Sequence, residues 1–144
     1  MEMITIRDAA PEDGPAVFAL LRDFVTSYAP SEEAFARHFP AIREREDADL
    51  LVAVCGGVVV GYALAARFPT FYANGPVAFL QELMVDPKHR QRGIGRTLVA
   101  AILERARAAG CAELTLATRR AGDFYRKLGF TESAGYFKRE TTAP

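Results

Sequence analysis

The sequence predicts one α/β domain of the mixed, α+β kind: three layers, with a mostly antiparallel central sheet flanked by helices. Its 144 residues are the length of one ordinary domain, enough for one core but not for two. Half of them are apolar and a quarter charged, the profile of a globular chain that folds alone. Strand-like and helix-like patterns then follow one another in mixed rather than strictly alternating order, with three sequential strands at the centre, which points to antiparallel pairing.

Met3 to Arg7 alternates as a strand does, and Pro11 to Tyr28 places Val17, Leu20, Leu21, Phe24 and Val25 at helical spacing. Ser31 suits the cap of a second helix, whose first turn carries Glu32 and Glu33 and whose apolar side carries Phe35 and Phe39. That helix is expected to end in the charged stretch Arg43 to Asp47. Leu50 to Cys55 and Val58 to Arg67 are rich in β-branched and apolar residues, and Gly56-Gly57 between them supplies the positive φ angles of a two-residue hairpin.

A loop holding Pro69, Phe71, Tyr72, Asn74 and Gly75 comes next, followed by a strand over Val77 to Val85 that Asp86-Pro87 closes. From Gly93 to Ala109, Ile94, Leu98, Ala101, Ile102, Ala106 and Ala109 form an apolar helical stripe, which Gly110 is placed to stop. Glu113 to Ala117 reads as a short strand and Ala121 to Leu128 as a short helix ended by Gly129. Phe130 to Glu140 has room for two brief strands. No internal repeat, linker or low-complexity segment divides the single domain spanning 1–144.

Composition excludes several functions. Eighteen basic side chains balance eighteen acidic ones, so the chain has no long-range field to draw in nucleic acid or an anionic membrane. Two cysteines, Cys55 and Cys111, cannot make a disulfide scaffold and are expected to be reduced and buried. No apolar run at the N-terminus has the length of a signal peptide or membrane span, which makes the cytoplasm the expected location. No His/Cys cluster suggests a metal.

The informative stretch is Val85-Asp86-Pro87-Lys88-His89-Arg90-Gln91-Arg92-Gly93-Ile94-Gly95-Arg96: a strand end, a basic turn, then glycines opening a helix. Unpaired N–H groups at a helix start point outward and carry partial positive charge, so a pyrophosphate there accepts several hydrogen bonds at once. Glycines at 93 and 95 remove Cβ atoms that would hold it away. Lys88, Arg90, Arg92 and Arg96 surround the same spot with positive charge. The stretch lacks the Gly-x-x-x-x-Gly-Lys pattern of nucleotide hydrolases, and Leu98 stands where a dinucleotide fingerprint needs its third glycine.

On these residues the sequence resembles the GCN5-related N-acetyltransferases. Arg90-Gln91-Arg92-Gly93-Ile94-Gly95 matches the signature Gln/Arg-x-x-Gly-x-Gly/Ala, and Phe124-Tyr125-Arg126-Lys127-Leu128-Gly129-Phe130 is similar to the late Phe-Tyr-x-x-x-Gly-Phe motif. The likeness covers nearly the whole chain. It implies the acyl-CoA N-acyltransferase fold, with acetyl-CoA as co-substrate and no metal. It also implies that the backbone of Met84 and Val85, on a strand splayed from its neighbour, holds the pantetheine arm. Arg90, Gln91, Arg92, Gly93, Ile94, Gly95 and Arg96 would then hold the diphosphate.

The implied chemistry is attack by a neutral amine on the thioester, with a base, or waters leading to one, taking a proton from the incoming ammonium and an acid protecting the departing thiolate. The resemblance makes Tyr125 the acid. Glu82, the carboxylate inside the strand from Val77 to Val85, is the candidate base. Strand alternation puts Phe79, Gln81 and Leu83 on one side and Leu80, Glu82 and Met84 on the other, but a bulge would change that count, so the face stays open. Solvent-mediated deprotonation stays open as well. After the strand Glu113 to Ala117, where many relatives carry an asparagine, this chain has Thr118-Arg119-Arg120, so Thr118 or backbone would have to substitute.

Tyr28, Phe71 and Tyr72 fall in regions that border the acceptor cleft of the resembled fold and are candidate substrate contacts, with core packing as the competing reading. His38, on a helix flank, and His89, within the basic turn, have no metal-ligand company; His89 is expected to be solvated. The expected activity is acetylation of a primary amine on a small molecule or peptide, with no nucleic-acid or membrane partner. The competing reading is a non-catalytic acyl-CoA sensor or scaffold. Exposed edge strands are compatible with a homodimer.

Overall fold

A computed structural model describes residues 3–23 and 28–142. Five strands, β1 (Ile4–Asp8), β2 (Ala48–Cys55), β3 (Val58–Thr70), β4 (Gly75–Val85) and β5 (Leu114–Thr115), lie side by side in that order. All pair antiparallel except β4 with β5, which run parallel. Helices α1 (Gly14–Arg22) and α2 (Glu32–Arg43) cover one face of the sheet, and α3 (Ile94–Ala108) and α4 (Gly122–Lys127) cover the other. This is the predicted three-layer arrangement.

Local chemistry sets most element ends. Gly56 and Gly57 take φ of 57° and 78°, the two left-handed residues that a tight hairpin demands. Ser31 Oγ accepts from the Ala34 N–H at 3.1 Å and so caps α2. α3 and α4 end alike: beyond left-handed Gly110 and Gly129, Cys111 N–H reaches back to the Ala106 carbonyl and Phe130 N–H to that of Tyr125, the Schellman closure. In α4 this closure lays Phe130 edge-on to Tyr125, with ring centroids 5.6 Å apart.

Two cores sandwich the sheet. Leu51, Ala63, Leu98 and Ile102 belong to the α3 side, and Val52, Tyr62, Phe39 and Met84 to the α1–α2 side. Gly61 brings α3 close: a Cβ there would lie 3.0 Å from the Met84 carbonyl oxygen and 3.2 Å from Leu98 Cδ1.

Several boundaries differ from the expected ones. Pro11–Asp13 forms a 3-10 turn, held by the Asp13 carboxylate accepting from the Ala10 N–H at 2.6 Å, so α1 starts at Gly14. Phe24 and Val25 lie outside the described residues. Pro69 and Gly75 belong to β3 and β4, which leaves a turn at 71–74 in place of a long loop. β5 holds two residues instead of five, because only Ala78 and Phe79 of β4 pair with it. The tail forms no strand among its described residues and is exposed from Thr131 onward; a strand needs a partner edge of comparable length, and β5 offers none.

Candidate active site

β4 and β5 touch and then part. Ala78 N–H donates to the Glu113 carbonyl and Ala112 N–H to that of Pro76, but beyond Phe79 no residue of β4 has a β5 partner. From Leu80 to Val85 one edge of β4 therefore lacks a strand neighbour among the described residues, while the other stays paired with β3. This is a splay of the kind expected for an extended ligand arm lying along free backbone.

A bulge sits where the strands part. Leu64 of β3 pairs with Glu82 while the next residue, Ala65, pairs with Leu80, so Gln81 is the extra residue on β4. Its effect on the faces is visible in the packing: Ala78 and Leu80 pack on the α3 side, as do Leu83, three residues after Leu80, and Val85. Glu82 and Met84 are thereby turned toward α1 and α2. The open question of the Glu82 face is thus decided by one unpaired residue.

Glu82 is half-buried and accepts from the Tyr62 hydroxyl at 2.7 Å. Tyr62 is 2% exposed, and burial, reinforced by the Glu82 charge, pushes its phenol far above the ordinary tyrosine range, so it stays a donor. The carboxylate faces a cavity of about 250 Å³ between the sheet, α1 and α2, with Leu21, Phe35, His38 and Phe39 among its walls. Sequence reasoning does not single out Tyr62, although a lone phenol in the apolar middle of a strand, among Val60, Ala63 and Leu64, requires a hydrogen-bond partner.

At the far end of β4 the basic turn stands open. Asp86 Oδ1 accepts from the Lys88 N–H at 3.0 Å, which turns the chain, and Gln91 and Gly93 both take left-handed φ, 66° and 78°. A Cβ at Gly93 would meet nothing within 4 Å, leaving the space in front of the α3 start clear. Arg90, Gln91, Arg92 and Arg96 are exposed, and none of the ion pairs among the described residues engages the three arginines. Ile94 is 1% exposed and offers the outside only its backbone.

Gly95 also has a packing role that its spacing does not suggest. A Cβ there would lie 3.3 Å from Phe124 Cζ and 3.7 Å from Val85 Cγ2, so its small size lets α4 pack on the start of α3 and the end of β4. That contact brings the motif's aromatic pair to the site: the Phe124 ring stands edge-on to Tyr125 at 4.9 Å. Tyr125 is half-buried, and burial raises its phenol above the usual value, leaving it protonated at neutral pH.

The candidate substrate contacts are dispersed. Phe71 and Tyr72 are exposed at the tip of the β3–β4 hairpin, where the Tyr72 hydroxyl and Glu113 Oε2 are 3.2 Å apart, and neither lines the cavity beside Glu82. Tyr28 stands two residues before Pro30, which does line it, with Lys138 Nζ 5.8 Å from its ring centroid. His89 is half-buried rather than solvated, with Nδ1 3.5 Å from Asp86 Oδ2. Cys55 is buried and Cys111 half-buried. Among the described residues no His/Cys/Asp/Glu group could hold a metal ion, and no helix is long and apolar enough to cross a membrane.

Comparison with known proteins bears on this arrangement. The family model described as Acetyltransferase (GNAT) family matches residues 15–130. The aminoglycoside N(6')-acetyltransferase type 1 of Stenotrophomonas maltophilia is 33% identical over 144 aligned residues, covering 93% of this chain and 92% of that protein. A structure titled as a transcriptional regulator from Bacillus halodurans superposes with a TM-score of 0.87 at 27% identity, covering 96% of this chain and all of that one. The structure of AAC(6')-Iy in complex with the bisubstrate analog CoA-S-monomethyl-acetylneamine gives 0.80 at 25% identity, over 97% and 99%.

Proposed function

The chain belongs to the acetyltransferase (GNAT) family and is an N-acetyltransferase, and from that premise we propose that it moves the acetyl group of acetyl-CoA to a primary amine of a small molecule or peptide at the splay between β4 and β5. The observation that carries this reading is the bulge at Gln81, which aims Glu82 into an apolar cavity on the strand whose free edge and basic turn suit the carrier.

The residues fit acetyl-CoA. The free edge of β4 at Met84 and Val85 offers backbone to an extended amide-containing arm. The α3 start, with Gly93 open in front of it and Arg90, Arg92 and Arg96 unpaired around it, offers N–H groups and positive charge to a diphosphate. Bound there, acetyl-CoA supplies the acetyl group as a thioester. Glu82 takes, directly or through water, the proton that the ammonium must lose before its nitrogen can attack. Tyr125, kept protonated by burial, gives a proton to the departing sulfur and is restored from the second proton of the nitrogen. The balance is one C–N bond formed, one C–S bond broken, and one net proton released to solvent. A cytoplasmic location and a homodimer belong to the same reading.

Thiol release with an amine panel, paired with calorimetric titration of acetyl-CoA, tests it. Binding with turnover that falls in Glu82→Gln is expected. Tight binding without turnover on any amine would favour the sensor, and no binding would overturn the site.

A further inference from the structure

The cavity beside Glu82 specifies the acceptor more narrowly, on the condition that Glu82 is the base as proposed above. Its volume of about 250 Å³ falls below the roughly 300–1,000 Å³ of ordinary small-molecule pockets. Val17, Leu21, Phe35, Phe39, Leu50 and Leu64 make its walls, and Ser31, His38, Tyr62 and Glu82 contribute the polar side chains among the described residues. Two of those four are already engaged: Ser31 Oγ caps α2, and the Tyr62 hydroxyl is given to Glu82.

We propose that the acceptor is a primary monoamine on a compact apolar or aromatic body, seated with that body between α1, α2 and the sheet and its nitrogen at Glu82. A body of this kind needs nothing from the walls but contact, and each methylene it buries strengthens binding. Several hydroxyls carried into the same place would outnumber the partners there, since His38 and Glu82 are the polar wall groups left. A ring bearing several ammonium groups would need several carboxylates, whereas Glu82 is the carboxylate the described walls supply. The acceptor inferred here is therefore of a different kind from the acetylneamine of the superposed complex.

The test measures thiol release with the whole chain and acetyl-CoA, using linear amines from propylamine to hexylamine, 2-phenylethylamine, glucosamine and neamine. The expected result is a kcat/KM that climbs about four-fold per methylene until the cavity is full, with 2-phenylethylamine well above both aminosugars. Ala34→Phe, which fills the cavity from α2, is expected to raise KM for 2-phenylethylamine and leave acetyl-CoA affinity unchanged. Leu21→Ala, which widens it, is expected to shift the optimum toward longer amines. Neamine or glucosamine outperforming every monoamine would overturn the assignment while leaving acetyl transfer intact. So would chain-length preferences that neither variant moves. No thiol release with any amine would overturn the acetyltransferase reading along with it.

Discussion

The Tyr62 hydroxyl donates to Glu82 Oε1 across 2.7 Å, from β3 to β4. The bond fixes where the carboxylate oxygens stand, so Tyr62 positions the candidate base. In Tyr62→Phe turnover is expected to fall, with acetyl-CoA affinity unchanged and a stability loss of about 1.5 kcal/mol. Thiol release and calorimetric titration of acetyl-CoA, run on the same variant, check it. Unchanged turnover would reduce Tyr62 to packing.

The two glycines of the signature are expected to separate by experiment. Gly93 is left-handed with open space before it, so Gly93→Glu puts bulk and negative charge where a diphosphate would lie and abolishes acetyl-CoA binding. Gly93→Ala carries mainly backbone strain, about 1–2 kcal/mol. Gly95 faces Phe124, so Gly95→Val displaces α4 and lowers turnover and stability together. Calorimetry and denaturant unfolding, run side by side, distinguish these outcomes.

Tyr125→Phe keeps the edge-on stacking with Phe124 and Phe130 and removes only the hydroxyl. Turnover is expected to drop about 100-fold with acetyl-CoA affinity nearly unchanged, the pattern of a lost acid. Single-turnover kinetics would show whether the loss falls on the chemical step. Equal losses in affinity and turnover would instead assign the hydroxyl to binding.

Acid stability depends on Asp13, 6% exposed. Arg7, which donates to it at 2.6 Å, and then the Ala10 N–H hold its pKa below the ordinary carboxylate value. A depressed folded-state pKa means that the stabilisation is complete above about pH 4, the ordinary unfolded value, and is lost as pH falls through the lower folded value. Asp13→Asn should cost about 2 kcal/mol at neutral pH, the half-exposed Arg7 tempering the loss. It should also flatten the acid dependence of urea unfolding below pH ~4.

Much of the fold was legible because its determinants are local. Gly56-Gly57, Ser31, Gly110 and Gly129 act on their own backbones or within one helical turn, and all four predicted element ends appear. The strand, basic turn and helix around Arg90 to Arg96 were legible for the same reason. The tail and β5 were not, since strand length depends on a partner edge that the segment does not itself contain. Likewise the small size of Gly95 answers to Phe124, 29 residues later.

Alone, the sequence determined the family, the order of elements from β1 to α4 and the basic turn that opens α3, and it singled out Glu82 and Tyr125 as candidates, because these follow from side-chain chemistry and short-range spacing. Only the tertiary structure decided which way Glu82 points. The strand's period is two, so the single residue Gln81 that β3 leaves unpaired sends Glu82 to Tyr62 and the apolar cavity, and that choice exists only once two strands have met.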